Sequence, residues 1–177
     1  LTMSVKNSWR VLILDDLKPV ESQVVWHACA LSLSEEESPQ NLLIIQDLTN
    51  KVMSCGFHQD LQAELNLKAC ESRNISYARR LAGGETFLLD ENQIFFNMLM
   101  PGYQFPSPPQ KLVKIGLPAP NKLCHSLGIP STIDLNELEV RGRKISGIGS
   151  ASIEKIGVLV GNLAIDFDLN TFVSCLN

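Results

Sequence analysis

Hydrophobic residues in the first third of the chain fall into short runs separated by polar segments. Val11–Leu14 and Leu42–Ile45 are continuous apolar runs of strand length, and Lys51–Phe57 has the composition of a third strand. A continuous apolar run of this kind is typical of a buried strand. We therefore predict that Val11–Leu14 is a short buried strand ending at Asp15-Asp16, and that two further strands follow it.

In two segments of the same region, the apolar residues are spaced as they are on one face of a helix. The first follows Pro19, a residue that suits the first helical turn, and its apolar face is predicted to consist of Val20, Val24, Ala28 and Leu31. Ser34–Gln40 is then a polar, proline-containing loop. A second helix is predicted to start after Asp60, whose carboxylate can cap it, and to carry on one side Leu61, Leu65 and Ala69.

The middle of the chain has the pattern of strands joined by tight turns. Ile75–Arg79 resumes extended structure before two adjacent glycines. Two antiparallel hairpins are then predicted, one from Thr86–Leu89 and Gln93–Met100 and another from Leu138–Val140 and Lys144–Ser146 around Arg141-Gly142.

Prolines and glycines concentrate between Pro101 and Pro120, which predicts a long loop with little regular structure. A short helix at Asn121–Leu127, a strand at Val158–Phe167 and a final helical turn capped by Asp168 are predicted to follow. Taken together, these elements predict an α/β (α+β) fold in which helices flank a mixed, largely antiparallel sheet.

Composition restricts the class of protein further. The chain has 177 residues, which suit one domain, and its net charge of −4 gives no sign of a nucleic-acid or membrane partner. The five cysteines include no CxxC pair, and the three histidines are not spaced as metal ligands. With no signal-like start and no apolar run of about 20 residues, we expect a cytoplasmic protein of one domain, 1–177, without a metal site.

A double glycine, Gly83-Gly84, follows two arginines, Arg79 and Arg80. Glycines allow positive φ and let backbone amides converge on an anion, and guanidinium groups bind phosphate or carboxylate. Because side chains alternate along a strand, only one of the arginines can face a pocket. The same residues also fit a plain tight turn with two surface arginines, and both interpretations stay open at this point.

Lys144 follows the second predicted hairpin turn and precedes a run of small residues, Ile145–Ala151, that contains two glycines. A lysine after a turn is usually solvated. A glycine-rich backbone, however, lets a ligand approach closely, with the ammonium as a point charge beside it.

Three segments, taken in this order, resemble the lipoate–protein ligases and the related lipoyl and octanoyl transferases. Gly56, His58 and Gln59 in "VMSCGFHQD" resemble that family's Gly-x-His-Gln strand end, and "YARRLAGGETFLLDENQIFFNM" resembles its double-arginine, glycine-rich hairpin. "NELEVRGRKISGIGSA" resembles its Asn-Asp…Gly-Lys-Lys-Ile-Ser-Gly-Ser-Ala segment, with Lys144 on the family's essential lysine. The resemblance runs from about Trp9 to Phe172.

This resemblance implies the catalytic-domain fold that the family shares with biotin–protein ligases, with a tunnel for a fatty-acyl tail. It implies that ATP and Mg²⁺ convert lipoate or octanoate to an acyl-AMP, which passes its acyl group to a lysine of a lipoyl carrier domain or an H-protein-like acceptor. Lys144 would be catalytic by stabilising the acyl carbonyl and phosphate oxygens, and Arg80 would meet the phosphate. The residues implied to bind the nucleotide and the lipoyl group are Arg80, Gly83, Gly84, Glu85, Thr86, Phe87, Leu88 and Lys144.

The chain departs from the family pattern at several positions. Glu85 stands where the family has a third glycine, and like charges about 4 Å apart cost roughly 4 kcal/mol at an effective dielectric of 20. Leu89 stands where a histidine is usual, and Asn136-Glu137 replaces Asn-Asp. Because the chain stops at Asn177, we also expect the accessory domain of full ligases to be missing or to be supplied by a separate subunit.

Two alternatives to an adenylating ligase follow from Glu85. One is an octanoyl or lipoyl transferase that takes a preactivated acyl group without ATP, and the other is an inactive relative that binds an acyl ligand or a carrier protein. A cysteine mechanism is disfavoured, because neighbouring helical residues such as Cys124 and His125 point about 100° apart. Cys124 also lies outside the segment in which cysteine-dependent relatives carry their nucleophile.

Overall fold

The computed structural model describes residues 8–102 and 109–177, with side chains throughout these ranges except at 109–112. The strands are β1 (Trp9–Leu17), β2 (Asn41–Leu48), β3 (Val52–Cys55), β4 (Ser76–Arg79), β5 (Phe87–Leu89), β6 (Gln93–Pro101), β7 (Thr132–Asp134), β8 (Glu137–Val140), β9 (Arg143–Ile153) and β10 (Ile156–Ala164). The helices are α1 (Pro19–Glu35), α2 (Leu61–Glu64), α3 (Leu67–Ser72), α4 (Pro109–Gly116), α5 (Pro118–Ser126) and α6 (Leu169–Ser174). None of the helices in these ranges has the length and apolar composition needed to cross a bilayer.

Seven strands form the larger of two sheets, in the order β1-β2-β6-β10-β9-β8-β7. Only β1 and β2 pair parallel in this sheet, and every other neighbouring pair is antiparallel. The prediction of a mixed, largely antiparallel sheet flanked by helices is therefore confirmed.

The smaller sheet has the order β4-β3-β5, and it shows that the first predicted hairpin is wrong. β5 pairs with β3, whereas β6 pairs with β2 and β10 in the large sheet. Gln93 lies where the chain passes from one sheet to the other, and its Nε2 donates to the Leu88 carbonyl at 2.8 Å and to Asp90 Oδ1 at 3.2 Å. These side-chain bonds hold the connection between the two sheets.

Local signals in the sequence are confirmed where backbone and side chain interact over a few residues. Asp60 Oδ1 accepts from the Gln62 amide at 2.9 Å at the start of α2, and Asp168 Oδ1 accepts from the Thr171 amide at 3.0 Å at the start of α6. The hairpin of β8 and β9 turns through Arg141 and Gly142, which have φ of 53° and 70°. Two successive left-handed residues are what a two-residue hairpin turn requires.

The predicted helix after Asp60 is two short helices rather than one. Leu65 leaves the helix because it pairs as an isolated β-bridge with Leu176. Asn66 then caps α3 by accepting from the Ala69 amide at 3.1 Å. A contact with a residue more than 100 positions away thus breaks a pattern that looks continuous in the sequence.

The predicted burial of the first strand is also wrong. Val11 and Ile13 are 57% and 65% exposed. β1 is the edge strand of the large sheet, so only its other face, with Leu12 and Leu14, packs against the core. An apolar run alone does not distinguish an edge strand from a central one.

Helix α1 confirms the predicted element but contradicts its predicted apolar face. Val20, Val24 and Leu31 are exposed, as is Ala28. The buried side of α1 consists of Ser22, Gln23, Trp26, Ala30 and Leu33. Trp26 fills the core from this side. Ser22 Oγ donates to the Pro19 carbonyl and Gln23 Oε1 accepts from Ser54 Oγ, so the two polar side chains are buried with hydrogen-bond partners.

The predicted loop between Pro101 and Pro120 is wrong for the part that the structure describes. α4 and α5 occupy most of 109–126, and each begins with a proline, a residue that suits the first turn of a helix. Residues 103–108 of the predicted loop lie outside the described residues. α5 includes most of the short helix predicted at Asn121–Leu127.

The two faces of the large sheet are covered differently. α1 and the small sheet lie on one face, in a cluster that includes Trp26, Val158 and Phe95. α4 and α5 lie on the other face, where Leu117 and Cys124 pack near Leu159. The gap between the small sheet and the large sheet, on the α1 side, is where the candidate site forms.

Candidate functional site

A pocket of about 150 Å³ opens between the small sheet and the centre of the large sheet. It brings together residues that are far apart in sequence, from α1, β3, β5, β6, β8, β9 and β10. The turn at residues 83–86, which we call the glycine turn, also contributes to it. The apolar walls of the pocket are supplied by Phe87, Leu89, Phe95 and Val160. Its polar lining includes Gln23, Ser54, Arg80, Glu85, Asn136, Glu137, Lys144 and Asn162.

The glycine turn at the pocket is held by close backbone packing on both sides. Gly84 has φ of +105°, in the region that favours glycine. A Cβ added at Gly56 would lie 1.8 Å from the Gly84 carbonyl oxygen, and one added at Gly149 would lie 2.4 Å from the Gly83 carbonyl oxygen. The glycines of "CGF" and "GIGSA" therefore let this turn approach, in addition to leaving space for a ligand.

Arg80 organises the turn from inside the protein. Its side chain is buried, and its terminal nitrogens donate to the carbonyls of Ser54 at 2.8 Å, Gly83 at 3.0 Å and Glu85 at 2.8 Å. Burial lowers the pKa of the Arg80 guanidinium to about 10, which leaves it charged at neutral pH. Arg79 is exposed, as strand alternation predicts for one member of the pair.

The orientation of these carbonyls determines where the turn's amides point. Because the N–H of a planar trans peptide is antiparallel to its C=O, the amides of Gly84 and Thr86 face away from the guanidinium. No described residue accepts a hydrogen bond from the amides of Gly84, Glu85 or Thr86. Gly84, Glu85 and Thr86 line the pocket, so backbone donors without a partner among the described residues belong to its wall, as in anion-binding backbone turns.

Gln59 links the first motif to the glycine turn. Its Oε1 accepts from the Gly56 amide at 2.7 Å and from Thr86 Oγ1 at 3.0 Å. His58 takes no part in this linkage and packs edge-on against Phe57. The Gly-x-His-Gln strand end thus supports the turn rather than lining the pocket.

Lys144 lies on the opposite side of the pocket, near the start of β9. Its ammonium is 2.7 Å from Glu137 Oε1, and both side chains are about one-third exposed, at 34% and 32%. An ammonium has three donors, and Glu137 is the hydrogen-bond partner that the described residues supply. Two donors remain for a ligand in the pocket.

The pocket unites most of the predicted binding residues, but two of them lie elsewhere. Arg80, Gly84, Glu85, Thr86, Phe87 and Lys144 line it. Leu88 is fully buried in a cluster with Met53 and Leu65, on the far side of the small sheet, because side chains alternate along β5. The Gly83 amide points to the Ser150 carbonyl at 3.3 Å, so Gly83 joins the turn to β9.

Several pocket residues were missed by the sequence reasoning. Gln23 and Ser54 form one hydrogen-bonded pair, with 2.7 Å between Ser54 Oγ and Gln23 Oε1, and Asn162 lines the wall beside Lys144. The signal for them is the same in each case: a polar residue within a predicted helix or strand, at a position that the fold buries.

The structure gives no support to a cysteine nucleophile. Cys124 is buried on the α4 and α5 side of the large sheet, away from the pocket, and His125 Nε2 is 2.6 Å from the Ser131 carbonyl. Burial raises the pKa of the Cys55 thiol, which lies behind the glycine turn. Among residues 8–102 and 109–177, no group of three or more histidine, cysteine, aspartate or glutamate side chains is placed to hold a metal ion.

Sequence comparison connects this site to known proteins. Residues 19–177 match the lipoyl protein ligase A/B catalytic domain. The probable lipoate-protein ligase A of Mycoplasma genitalium is 27% identical over 125 residues, covering 69% of this chain and 36% of that protein. The octanoyltransferase LipM of Brevibacillus brevis is 22% identical over 196 residues, covering 96% of this chain and 70% of that protein. The chain thus spans about a third of the Mycoplasma ligase.

Solved structures show the same fold. A bi-partite lipoate protein ligase from Thermoplasma acidophilum, solved with its E2 lipoyl domain, superposes with a TM-score of 0.80 at 17% identity, covering 94% of this chain and 66% of that one. A lipoate-protein ligase A bound with ATP gives a TM-score of 0.72 at 18% identity, covering 96% and 72%.

Proposed function

Because the chain belongs to the lipoyl protein ligase A/B catalytic-domain family, we propose that it attaches lipoate or octanoate to a carrier-domain lysine through an acyl-AMP intermediate. One observation supports the proposal: the same pocket is lined by Lys144, which has donors left for a ligand, and by Gly84, Glu85 and Thr86, whose amides have no acceptor among the described residues. Positive charge and backbone donors on two sides of a cleft suit a ligand with a carbonyl next to a phosphate.

The transfer step uses this arrangement directly. The amine of the carrier lysine attacks the acyl carbonyl carbon and releases a proton to solvent as the new amide bond forms. The bond from the carbonyl carbon to the phosphate oxygen breaks, and AMP leaves with its electron pair. Negative charge develops on the carbonyl oxygen and then on the phosphate. The Lys144 ammonium donates hydrogen bonds to both oxygens, and it stabilises them more in the transition state than in the ground state.

The pocket walls fit the two ends of an acyl-AMP. Phe95, Leu89 and Val160 supply an apolar surface for the acyl chain. The amides of the glycine turn suit the phosphate, with Arg80 holding the turn from behind. ATP as the activating substrate is consistent with the similar ligase solved with ATP. Mg²⁺ typically takes one or two protein carboxylates alongside phosphate, and Glu137, beside Lys144, is a carboxylate that lines this pocket.

Partners follow from the same proposal. The similar archaeal ligase is bi-partite and was solved with a lipoyl domain. We propose a lipoyl domain or an H-protein-like protein as the acceptor, with residues 1–177 acting as the catalytic domain and a separate subunit assisting adenylation. The five unpaired thiols fit a reducing, cytoplasmic setting.

A second candidate function is supported by Glu85. Glu85 lines the pocket, its side chain is exposed, and the ion pairs among the described residues do not include it. A carboxylate at this position would add negative charge beside ATP phosphates bound at the turn. A transferase that takes a preactivated acyl group avoids that repulsion, and one of the similar proteins is named an octanoyltransferase. A comparison of the acyl donors that the protein accepts separates the two functions.

We predict that the protein transfers a lipoyl group from supplied lipoyl-AMP to a lipoyl domain at least about tenfold faster than it does from lipoate, ATP and Mg²⁺. The reason is that transfer needs the Lys144 side of the pocket, whereas adenylation must also place three phosphates beside Glu85. Mass spectrometry of the lipoyl domain measures both rates. Equal rates would show that Glu85 does not hinder adenylation. Transfer from octanoyl carrier protein, but not from lipoyl-AMP, would support the transferase instead.

Glu85→Gly is predicted to tighten the binding of Mg²⁺-free ATP on the order of tenfold, which equals about 1.4 kcal/mol. The substitution removes a carboxylate from the pocket and restores the permissive glycine backbone. Calorimetry with ATP and EDTA measures the effect. Glu85→Gln is the matched variant, since it removes only the charge. Unchanged affinity in both variants would show that the carboxylate does not meet the nucleotide.

A further inference from the structure

The large sheet splits next to Lys144. β9 and β10 pair from Ile153 and Ile156 as far as Ile148 and Gly161, and there their ladder ends. Beyond that point β9 continues toward Lys144 paired with β8, while β10 continues paired with β6. The segment that carries Lys144 is therefore held by a backbone ladder on one side only.

Asn162 fills the place where the ladder ends. Its Oδ1 accepts from the Gly147 amide at 3.0 Å, and its Nδ2 donates to Gln93 Oε1 at 2.7 Å. Gln93 in turn donates to the Leu88 carbonyl at 2.8 Å. Asn162 and Gln93 are 3% and 5% exposed, so these bonds form away from bulk water. One side chain thus ties β9 to β10 and, through Gln93, to the end of β5.

Gly147 connects this network to the lysine. A Cβ added at Gly147 would lie 3.3 Å from Lys144 Cε, 3.7 Å from Lys144 Nζ and 3.6 Å from Asn162 Oδ1. The lysine side chain therefore runs across the bare backbone of Gly147. Any movement of that backbone moves the surface on which the lysine rests.

We propose that Asn162 is a positioning residue for Lys144: it fixes the Gly147 backbone, and with it the ammonium, at the point where the sheet opens into the pocket. The expected loss of rate on replacing Asn162 rests on the proposed transfer function. The expected loosening of the Gly147 backbone does not. Displacement of a catalytic group by about 1 Å costs on the order of 100-fold in rate. Partial loss of the anchor should cost less, because β8 still holds the segment.

The test is a double-mutant cycle on transfer from lipoyl-AMP to a lipoyl domain, measured well below the melting temperature. Asn162→Ala should lower kcat by about tenfold and change KM by less than about threefold. In the Lys144→Ala background, the same substitution should change kcat by less than about twofold, because no ammonium remains to be positioned. Equal losses of kcat in both backgrounds would overturn the proposal.

Asn97→Ala is the matched control. Asn97 is another fully buried amide on the neighbouring strand β6, hydrogen-bonded to Gln46 and outside the pocket lining. It should lower the melting temperature without lowering kcat. A loss of kcat equal to that of Asn162→Ala would mean that any buried amide of this sheet has the same effect. If Asn162→Ala does not fold, Asn162→Ser, whose shorter side chain also gives up the Gly147 bond, is measured in the same way.

A measurement without substrate separates this proposal from the proposed function. Hydrogen exchange of the Gly147 amide, followed by NMR, should be slow in the wild-type protein and at least about tenfold faster in Asn162→Ala. Unchanged exchange would overturn the proposal. Absence of any transfer by the wild-type protein, combined with faster exchange in the variant, would overturn the proposed function and leave the anchoring role in place.

Discussion

Lys144→Ala is expected to lower the rate of acyl transfer by about 100-fold or more, equal to roughly 3 kcal/mol of transition-state stabilisation. The ammonium is the cationic group that reaches the open part of the pocket, since the terminal nitrogens of Arg80 are occupied by carbonyls. Folding should survive, because the Lys144 side chain is 34% exposed and its ion-pair partner among the described residues is the similarly exposed Glu137. Single-turnover transfer from lipoyl-AMP measures the rate, and thermal unfolding checks the fold.

Two further variants test whether the lysine acts as proposed. Lys144→Arg should restore only part of the rate, because a planar fork does not replace a compact ammonium beside the backbone of Gly147. Cys124→Ser should leave transfer unchanged, since Cys124 is buried on the other face of the sheet. Full activity in Lys144→Ala together with none in Cys124→Ser would show that Cys124, and not Lys144, is the catalytic residue.

Gly56→Ala is expected to lower transfer by about 100-fold and to reduce the free energy of unfolding by about 1–3 kcal/mol. The added Cβ would lie 1.8 Å from the Gly84 carbonyl oxygen and 2.8 Å from its carbon, so the glycine turn must move away from β3. That movement disturbs the amides that face the pocket and the carbonyls that Arg80 holds. Transfer kinetics and chemical denaturation measure the two effects.

Gly83→Ala is the comparison for this variant. A Cβ at Gly83 meets no atom closer than the Ser150 carbonyl oxygen at 4.0 Å, so the substitution should cost much less than Gly56→Ala in both rate and stability. Both positions are glycines that touch the same turn, and they differ in the space around the added carbon. A larger loss in Gly83→Ala than in Gly56→Ala would contradict the packing described for the turn.

Much of the fold was predictable because it depends on local interactions. Asp60 and Asp168 cap helices through bonds to amides two or three residues away, and Arg141-Gly142 forms a turn from its own backbone preferences. The resemblance to a known family singled out Lys144 and the double glycine, and the structure brings Lys144 and Gly84 to one pocket. It did not reveal that Gly56 and Gly149 serve the packing of that turn, since a motif gives residue types and not the atoms they meet.

The sequence by itself determined most of the helices and strands outside 101–120, the largely antiparallel character of the sheet and the family, and it singled out Lys144 and the double glycine as candidates. Only the tertiary structure decided that α1 buries Gln23 and Trp26 instead of Val20 and Val24, and that β5 and β6 enter different sheets. It also decided that Arg80 holds carbonyls and that Asn162 reaches Gly147. The physical reason is the distance along the sequence between the residues that interact. Turns and caps form between neighbours in the chain, whereas burial and buried hydrogen bonds depend on partners that folding brings from distant positions.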